Sequence, residues 1–395
     1  MNLLLLKNTL DNLPPEIIPG CACEVRVHGR TVFRQFNGYS DYELTRHACE
    51  TDVYRIYSCS KVFTAVAVMR LVEQGKLGLY DYADLYLPEF ASLMVVGGTE
   101  LNSNKDGVYD PTRQKYVSES SEKGPHSPEN RMRIYDLLRM SSGFSYEISG
   151  PGMEETLKDP NLTIREFVRA LSKTPLLFEP GTDFLYSFSI DILGAIIEIV
   201  SGMTLGEYME TEMFSPLSLQ HTGFWDVEND VYKLAAQYIM NDDQKSNRPL
   251  SGNAFVWGKM ESGGGGLKST LWDMSTFASV LANGGTTADG YRLLSQETID
   301  LMRKDHLDDH MKASFHRNWP HLCNYSYGLG VRTFIRNEDG NGGSTGEFGW
   351  EGAPGTYLII DPEKAISCAF MMHVRKCSFA TSFVHRQITR ALYAE

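Results

Sequence analysis

The sequence has 395 residues, of which 42% are hydrophobic and 22% are charged, and this composition excludes a disordered, collagen-like or coiled-coil chain. Because one hydrophobic core rarely supports such a length, we expect two domains, or one large domain with an insertion. The net charge of -13 and the pI near 5.3 argue against binding to nucleic acid or an anionic membrane surface. A small-molecule substrate remains as the expected partner.

The chain begins with a short apolar stretch at residues 3–6, followed at once by Lys7 and Asn8. The stretch is too short for the core of a signal peptide and has no cleavage-like site of small residues after it. It therefore predicts the start of an amphipathic helix. No later segment approaches the roughly 18 uninterrupted apolar residues of a membrane span, so we expect a cytoplasmic protein that makes no membrane contact.

The spacing of apolar residues indicates two further elements near the N-terminus. Residues 20–38 alternate apolar and polar side chains around His28 and Gly29, which predicts a β-hairpin. Residues 61–74 carry apolar side chains on every face and are followed by Gly75, which predicts a buried helix with a glycine stop. We expect that helix in the middle of the protein.

The middle of the chain changes character twice. Residues 97–130 are polar and rich in Ser, Asn, Glu, Gly and Pro, which predicts a long surface insertion or lid. Helical periodicity follows it. The helices that this periodicity predicts most clearly span residues 134–140, 164–171, 190–200 and 271–283.

Towards the C-terminus apolar and polar residues alternate again, and a helix is expected from about Ser378. The predicted strands span residues 327–335, 355–360 and 366–374. Together these elements predict an α+β fold, with an antiparallel sheet flanked by helices and a mostly helical domain. The sheet domain should comprise residues 1–90 and 300–395. The helical domain should comprise residues 91–299, with the polar insertion at 97–130 inside it.

The sequence contains seven cysteines, an odd number, scattered through apolar contexts such as those of Cys21, Cys23 and Cys368. This distribution favours reduced, buried thiols over a disulfide framework. Cys21 and Cys23 lack a second ligand pair, so they do not predict a zinc site.

Ser58 and Lys61 stand three positions apart at the start of the predicted buried helix, so their side chains should lie on one face. A serine hydroxyl is a poor nucleophile until a base takes its proton, and an amine is a base only where burial disfavours its charged form. The apolar helix supplies that burial, and helix N-terminal amides would stabilise an oxyanion. Alone, Ser-x-x-Lys is a weak pattern, because a capping serine and a solvated lysine produce it by chance.

The residues around this pair resemble a known superfamily. Residues 58–65 read Ser-Cys-Ser-Lys-Val-Phe-Thr-Ala, and with residues 71–77 they resemble the active-site helix of serine beta-lactamases and penicillin-binding proteins, in particular the class C branch. Further matches follow in that family's order, at residues 85–90, 133–144, 180–187, 263–270 and 348–362. The matches span roughly residues 20–374 and leave the 97–130 insertion unaccounted for. The resemblance implies the beta-lactamase/transpeptidase-like fold.

The resemblance also implies roles for individual residues. Ser58 would be the nucleophile, and Tyr186 would act with Lys61 as the general base. The neighbouring cation would favour phenolate character at Tyr186, which would later return the proton to the leaving group. The oxyanion hole would consist of the backbone amides of Ser58 and Ala353.

Two departures from the lactamase pattern indicate a particular branch. The Tyr-x-Asn of the lactamases is Tyr-Ser-Phe here, ending at Phe188, so the amide that would hold a lactam's acylamino group is missing. Their Lys-Thr-Gly is Trp-Glu-Gly here, beginning at Trp350, so the cation facing a substrate carboxylate, worth about 1.5–3 kcal/mol, is missing too. The Trp-x-Gly pattern is similar to the beta-lactamase-like carboxylesterases and to related acyltransferases.

These departures define the expected substrate site. Phe188, Trp350 and Gly352 are expected to contact the substrate. For Trp350, a purely structural role as a packed hydrophobic side chain on its strand fits almost equally well. Glu351 alternates to the other face of that strand, where we expect it to be solvated.

Two other patterns have simpler interpretations. Residues 342–346 fit the Gly-x-Ser-x-Gly of a nucleophile elbow around Ser344, but turn residues lead into a strand there, so we interpret them as a flexible hairpin loop. A local cluster could ligate a metal, although a polar surface helix and loop is the better interpretation: His306, His310, His316, His321 and Cys323. We expect neither a metal nor an organic cofactor.

We therefore expect a serine hydrolase that forms an acyl-enzyme on Ser58 and cleaves small neutral esters. The alternative on the same fold is a beta-lactamase, or an amidase or peptidase for D-amino-acid or peptidoglycan-like substrates, with Lys268 or Arg332 supplying the missing cation. From a different class, the alternative is a non-catalytic ligand-binding or sensor protein. The intact set of Ser58, Lys61 and Tyr186 argues against the latter, and the oligomeric state stays open.

Overall fold

The structure is a computed structural model that describes residues 1–96, 125–146, 148, 150–225, 227–252, 256–336 and 342–394. Most of the predicted insertion at residues 97–130 lies outside the described residues. The helices are α1 (Leu3–Asp11), α2 (Ser60–Glu73), α3 (Ile134–Leu138), α4 (Met153–Leu157), α5 (Ile164–Leu171), α6 (Ser189–Ser201), α7 (Leu205–Met209), α8 (Leu271–Ala282), α9 (Gln296–Met302), α10 (Asp309–Asn318) and α11 (His385–Tyr393). The strands are β1 (Gly20–Val27), β2 (Arg30–Gly38), β3 (Asp52–Arg55), β4 (Lys233–Leu234), β5 (Tyr238–Met240), β6 (Asn247–Pro249), β7 (Lys268–Thr270), β8 (Tyr325–Tyr327), β9 (Arg332–Phe334), β10 (Phe348–Glu351), β11 (Tyr357–Asp361), β12 (Ile366–Met372) and β13 (Val374–Arg375).

Within the described ranges, a seven-stranded antiparallel sheet has the order β2-β1-β12-β11-β10-β9-β8. The predicted N-terminal hairpin is present, and His28 and Gly29 have φ angles of 48° and 78° at its turn, the two positive values that tight hairpins favour. β1 pairs with β12, so that Cys23 lies opposite Phe370. The two ends of the chain thus share one sheet, and the predicted α+β fold is confirmed.

The predicted strand at residues 327–335 is wrong in one respect, because the chain turns back in its middle. β8 and β9 form a hairpin in which the Gly328 amide donates to the Val331 carbonyl at 2.7 Å. Gly330 has a φ of 76°, which glycine adopts without steric cost. Its amide donates to the Leu138 carbonyl at 2.8 Å, so the turn is fastened to the helical layer.

The apolar pattern of residues 61–74 correctly predicts a buried helix. In the structure this helix is α2, and Gly75 directly follows its C-cap residue with a φ of 66°. Phe63 of α2 stacks on Phe277 of α8 with 3.8 Å between ring centroids. α8 packs in turn across β1 and β12, so the layer on the sheet includes a helix from the segment predicted as the helical domain.

The helices between α3 and α7 occupy the region predicted to be helical. Thr163 and Glu166 form a capping box that starts α5, and α6 ends at Gly202 with a φ of 74°. In the part of the chain that is described, no single helix has the length and apolar composition needed to cross a membrane. α6 and the segment Leu205–Phe214 reach that length and composition only as a pair bent by 75°.

All seven cysteines are free thiols. Cys23 and Cys368 are buried on neighbouring strands with their sulfurs 3.8 Å apart, and burial raises the pKa of Cys21 to about 12. Thiols in this state are unreactive, because the thiolate is the nucleophile. Cys323 differs from the expected pattern in being exposed.

Candidate active site

Ser58 lines a cleft at the short 3₁₀ turn Tyr57–Cys59, which leads into α2. Tyr57 has a φ of 45°, an uncommon conformation for a bulky residue, and such backbone strain persists only where the surroundings impose it. The Tyr57 hydroxyl donates to Oε1 of Gln237 at 2.7 Å, which anchors the turn. As a result Ser58 remains 7% exposed while the helix behind it is enclosed.

Lys61 follows Ser58 by one helical turn, and its Nζ lies 3.3 Å from Ser58 Oγ. The ammonium also donates to the Gly264 carbonyl and lies 4.7 Å from the centroid of the Tyr186 ring. Its side chain is almost completely enclosed. Burial lowers the pKa of Lys61 from 10.5 to about 8, against an opposing effect of Asp191. Lys61 therefore meets the geometric and electrostatic requirements of a base for Ser58.

Asp191 is a part of the site that the sequence analysis missed. It is buried in α6, where its Oδ1 accepts from Ser262 Oγ at 2.6 Å and from the Gly264 amide at 3.1 Å. Burial raises the pKa of Asp191, although Lys61 opposes this shift. A Cβ on Gly264 would come within 2.4 Å of the Asp191 carboxylate, so the close approach requires glycine. The sequence signal for it is a carboxylate in the first turn of a largely apolar helix.

Tyr186 lies beside Ser58 and Lys61, as expected. Its hydroxyl accepts a hydrogen bond from Nε1 of Trp350 at 2.8 Å, and it is also hydrogen-bonded to Ser58. Burial raises the pKa of Tyr186 above its usual 10, although the bonds from Ser58 and Trp350 oppose that shift. The structure thus favours a neutral phenol here rather than the phenolate character that the sequence analysis expects.

Trp350 lies on β10, the strand opposite the nucleophile, and is 1% exposed. Besides its bond to Tyr186, its ring packs against that of Trp319 with centroids 5.9 Å apart. Both aromatic rings line the cleft. Trp350 therefore combines the two alternatives considered for it, since it is packed in the strand and also forms part of the cleft wall.

Glu351 is not solvated, which corrects the expectation drawn from strand alternation. Its side chain is only 11% exposed, with Oε1 at 2.9 Å from Nε2 of His321 and Oε2 at 3.4 Å from Nδ1 of His385. Burial alone would raise the pKa of Glu351, but the charge and hydrogen bond of His321, together with His385, hold it well below its usual range. Glu351 in turn raises the pKa of His321 above 6.5, against the effect of burial.

The turn after β10 brings Gly352 and Ala353 to the same cleft as Ser58. Within the described residues, the backbone amides of Ser58 and Ala353 donate to no protein acceptor. Both residues line one cavity, and two amides that face a common cavity can form an oxyanion hole. The cavity measures about 120 Å³. Its lining consists of Ser58, Tyr186, Trp319, His321, Trp350, Glu351, Gly352, Ala353, Gly355, Lys376, Cys377, Ser378 and Thr381.

The structure positions Phe188 away from this lining. Phe188 is 2% exposed and packs edge-on against Tyr146 and Phe167, with centroids 4.6 and 5.0 Å apart. Its effect on the cleft therefore comes through Tyr146, which also packs against Tyr186 at 5.6 Å. No contact with a substrate follows from this position.

Neither cation considered as a replacement for the missing lysine faces the cleft. Lys268 donates to Glu228 at 2.8 Å. Arg332 is fully buried in β9, where it donates to the Leu358 carbonyl at 3.0 Å and lies 3.3 Å from Glu347. Both are absent from the lining given above.

The histidine cluster does not converge. His306 contacts Tyr135 and the Leu301 carbonyl, His316 contacts the Tyr325 carbonyl, and His321 contacts Glu351. Across the described ranges, no group of three or more His, Cys, Asp or Glu residues is arranged to hold a metal ion. Ser344 is likewise separate from the cleft, and its hydroxyl donates to Asp361 at 2.8 Å.

Comparison with known proteins gives consistent matches. The family model described as Beta-lactamase matches residues 11–381. An uncharacterized protein of Mycobacterium tuberculosis is 28% identical over 85% of this chain and 80% of its own length. Esterase EstB of Burkholderia gladioli is 30% identical over 53% of this chain and 48% of its own length. The solved structure of EstCE1, a hydrolase with promiscuous acyltransferase activity, superposes with a TM-score of 0.77 at 24% identity, covering 99% of this chain and 98% of the other.

Proposed function

The chain belongs to the beta-lactamase family of serine hydrolases, and on that premise we propose that it is a carboxylesterase for small neutral esters that forms an acyl-enzyme on Ser58. The observation that carries the choice of substrate is the hydrogen bond from Trp350 Nε1 to the Tyr186 hydroxyl at 2.8 Å. A neutral indole occupies the position where the lactamase pattern has its lysine. The cleft therefore offers an apolar wall where a substrate carboxylate would need a cation.

Acylation uses groups whose positions are given above. Ser58 Oγ attacks the ester carbonyl carbon while its proton passes to the uncharged form of the Lys61 amine, 3.3 Å away, which becomes available because burial lowers the pKa of Lys61 to about 8. The carbonyl oxygen becomes an oxyanion that accepts from the amides of Ser58 and Ala353. When the C–O bond breaks, the neutral Tyr186 phenol gives its proton to the alkoxide and recovers one from Lys61.

Deacylation reverses these roles. A water molecule attacks the acyl-Ser58 carbonyl, its proton passes to the Tyr186 and Lys61 pair, and Ser58 leaves with a proton as the free hydroxyl. An alcohol in place of water would give a new ester. The esterase name of EstB and the acyltransferase activity named for EstCE1 support an ester substrate.

A second candidate is an amidase or peptidase for carboxylate-bearing substrates. It is favoured by Lys376, which lines the cleft and could face a substrate carboxylate. His321 also lines the cleft, but Glu351 balances its charge. The neutral ester remains the first choice because Trp350 contacts the reacting centre, whereas Lys376 belongs to a different segment of the lining.

The test compares substrates on one purified sample. A p-nitrophenyl ester with an acyl chain of two to six carbons should be cleaved with kcat/KM far above that of a chromogenic cephalosporin. The loss of two contacts of about 1–3 kcal/mol each should lower lactam acylation by about two to four powers of ten. A cephalosporin or a D-amino-acid amide cleaved equally well would overturn the proposal in favour of the second candidate.

The same sample should react with a fluorophosphonate probe at Ser58. Ser58→Ala should abolish labelling, and the matched control Ser344→Ala should leave it unchanged, because Ser344 lies outside the cleft lining. Mass spectrometry that located the adduct on Cys59 or Ser344 would contradict the assignment of the nucleophile.

A further inference from the structure

The turn that follows β10 carries the Ala353 amide and has little support of its own. The Gly352 amide donates to the Thr356 carbonyl at 2.7 Å, and the Gly355 amide donates to the Gly352 carbonyl at 2.8 Å. Gly355 has a φ of 88°, which any residue with a side chain would adopt only under strain. A turn with these two internal bonds needs external contacts to hold its amide within a few tenths of an ångström.

Two external hydrogen bonds reach this turn, one from the Val374 amide to the Pro354 carbonyl at 3.1 Å and one from α11. His385 Nε2 donates to the Gly355 carbonyl at 2.9 Å, and Nδ1 of the same ring lies 3.4 Å from the Glu351 carboxylate. Glu351 immediately precedes the turn and Gly355 ends it. One buried imidazole thus ties both ends of the turn, and it is itself fixed by stacking on Tyr357, with 4.2 Å between centroids and planes 5° apart.

The chemistry of this contact is consistent with the charges nearby. The Gly355 carbonyl can only accept, so Nε2 carries a proton, and Nδ1 faces a carboxylate that also can only accept. Nδ1 lies at ion-pair distance from that carboxylate, and among the described residues neither Nδ1 nor Oε2 of Glu351 has a hydrogen-bond partner. The remaining oxygen of Glu351 is bound by His321 at 2.9 Å, so the carboxylate is held from two sides.

We propose that Glu351 and His385 are positioning residues for the oxyanion hole, holding residues 352–355 so that the Ala353 amide meets the developing oxyanion. The proposal rests on the function proposed above, in which that amide stabilises the transition state. Neither residue touches the reacting atoms. Since a misplaced oxyanion donor weakens the transition state and leaves ground-state binding intact, their loss should lower kcat and leave KM unchanged.

The experiment uses graded replacements of His385. In His385→Leu both contacts are lost, and kcat on p-nitrophenyl butyrate should fall by about 10- to 100-fold, a fraction of the loss for a deleted oxyanion donor. His385→Gln keeps an amide donor near the Nε2 position and should recover most of the rate. Glu351→Gln should lower kcat in the same way as His385→Leu, and it carries the test if His385→Leu does not fold.

The matched control is Thr389→Ala, one helical turn after His385 on α11. Thr389 contacts the Tyr357 hydroxyl at 3.3 Å and the His385 carbonyl at 3.0 Å, so its loss should lower thermal stability and leave kcat unchanged. A rise in KM alone, an equal rate loss in Thr389→Ala, or no recovery in His385→Gln would overturn the proposal.

Hydrogen exchange separates this proposal from the proposed function. The amides of Gly352, Ala353 and Gly355 should exchange faster in His385→Leu than in the wild type, and no faster in Thr389→Ala. That result supports the positioning role even if no ester is turned over and Ser58 is not labelled, whereas unchanged exchange in His385→Leu overturns it.

Discussion

On the helical wall of the cleft, Lys61 is enclosed by apolar side chains, and burial lowers its pKa to about 8. On the strand wall, Glu351 is almost as enclosed, yet His321 and His385 keep it ionised. Burial thus favours the uncharged form of Lys61, whereas Glu351 stays charged despite being buried. A buried group with little opposite charge nearby loses its proton more easily and can act as a base. A buried group with ionic partners on both sides stays charged and is held in a fixed position.

We infer from this difference that the helical wall transfers protons and that the strand wall positions a hydrogen-bond donor. In the proposed mechanism, the helical wall carries the groups that exchange protons, namely Ser58, Lys61 and Tyr186. The strand wall carries an amide donor whose value depends on position alone. Three predictions test or sharpen the division, beginning with the largest effect.

The largest effect should come from the proton-transfer groups. Lys61→Ala and Tyr186→Phe should each lower kcat by about 10²- to 10⁴-fold with little change in KM. The double variant should be hardly worse than either single variant, because groups on one proton path are not additive. Steady-state kinetics on one ester will measure this, with Lys268→Ala as the control lysine outside the cleft. Independent, multiplying losses would contradict a shared path.

Stability should respond in opposite directions on the two walls. Glu351→Leu leaves His321 and His385 without their carboxylate and should lower the free energy of unfolding by about 3–5 kcal/mol. Lys61→Met should raise it at pH 7 by up to about 3 kcal/mol, since the folded pKa is about 8 against 10.5. The cost of the buried ammonium is fully present below pH 8 and disappears as the pH rises through 10.5.

Denaturant unfolding of both variants beside the wild type will show whether the free energy of unfolding rises or falls in each. A Lys61→Met protein as destabilised as Glu351→Leu would mean that the hydrogen bonds of Lys61 outweigh its burial cost, and the contrast between the walls would fail.

The smallest effect concerns pH. The ester kcat/KM should fall about tenfold per pH unit below about 8, because Ser58 requires the neutral amine of Lys61. Asp191 raises the pKa of Lys61, so Asp191→Asn should move the midpoint to lower pH. Asp273→Asn, at a buried carboxylate bound by Thr222 and the His221 amide, is the matched control. A flat profile between about pH 6 and 9 would exclude Lys61 as the base.

Local patterns in the sequence were sufficient to predict much of the helical wall. The burial of α2 follows from its apolar residues, and the spacing of Ser58 and Lys61 fixes their shared face. The strand wall is harder to predict from the sequence. Alternation in β10 does not indicate that α11 and the Pro320–Leu322 turn enclose Glu351, nor that Glu351 lines the same cleft as Trp350.

The residues that were missed depend on tertiary contacts. His385 meets Glu351 only through the register of a C-terminal helix, and Asp191 meets Lys61 only because Gly264 lets two segments approach. The turn between β8 and β9 could be predicted from the sequence, because Gly328 and Gly330 flank a single leucine. The apolar alternation of residues 327–335 predicts one strand, whereas the two glycines indicate a turn within it.

The pairing of β1 with β12 has a consequence for the order of folding. Cys23 and Cys368, on neighbouring strands, are separated by 345 positions in the chain, so during synthesis the β1–β2 hairpin remains without its inner neighbour until β12 is made. Closing such a long loop is slow, and the exposed edge is open to wrong pairing in the meantime. We therefore expect a chain released before β12 to aggregate, and a chaperone that shields strand edges to raise the yield of the whole protein.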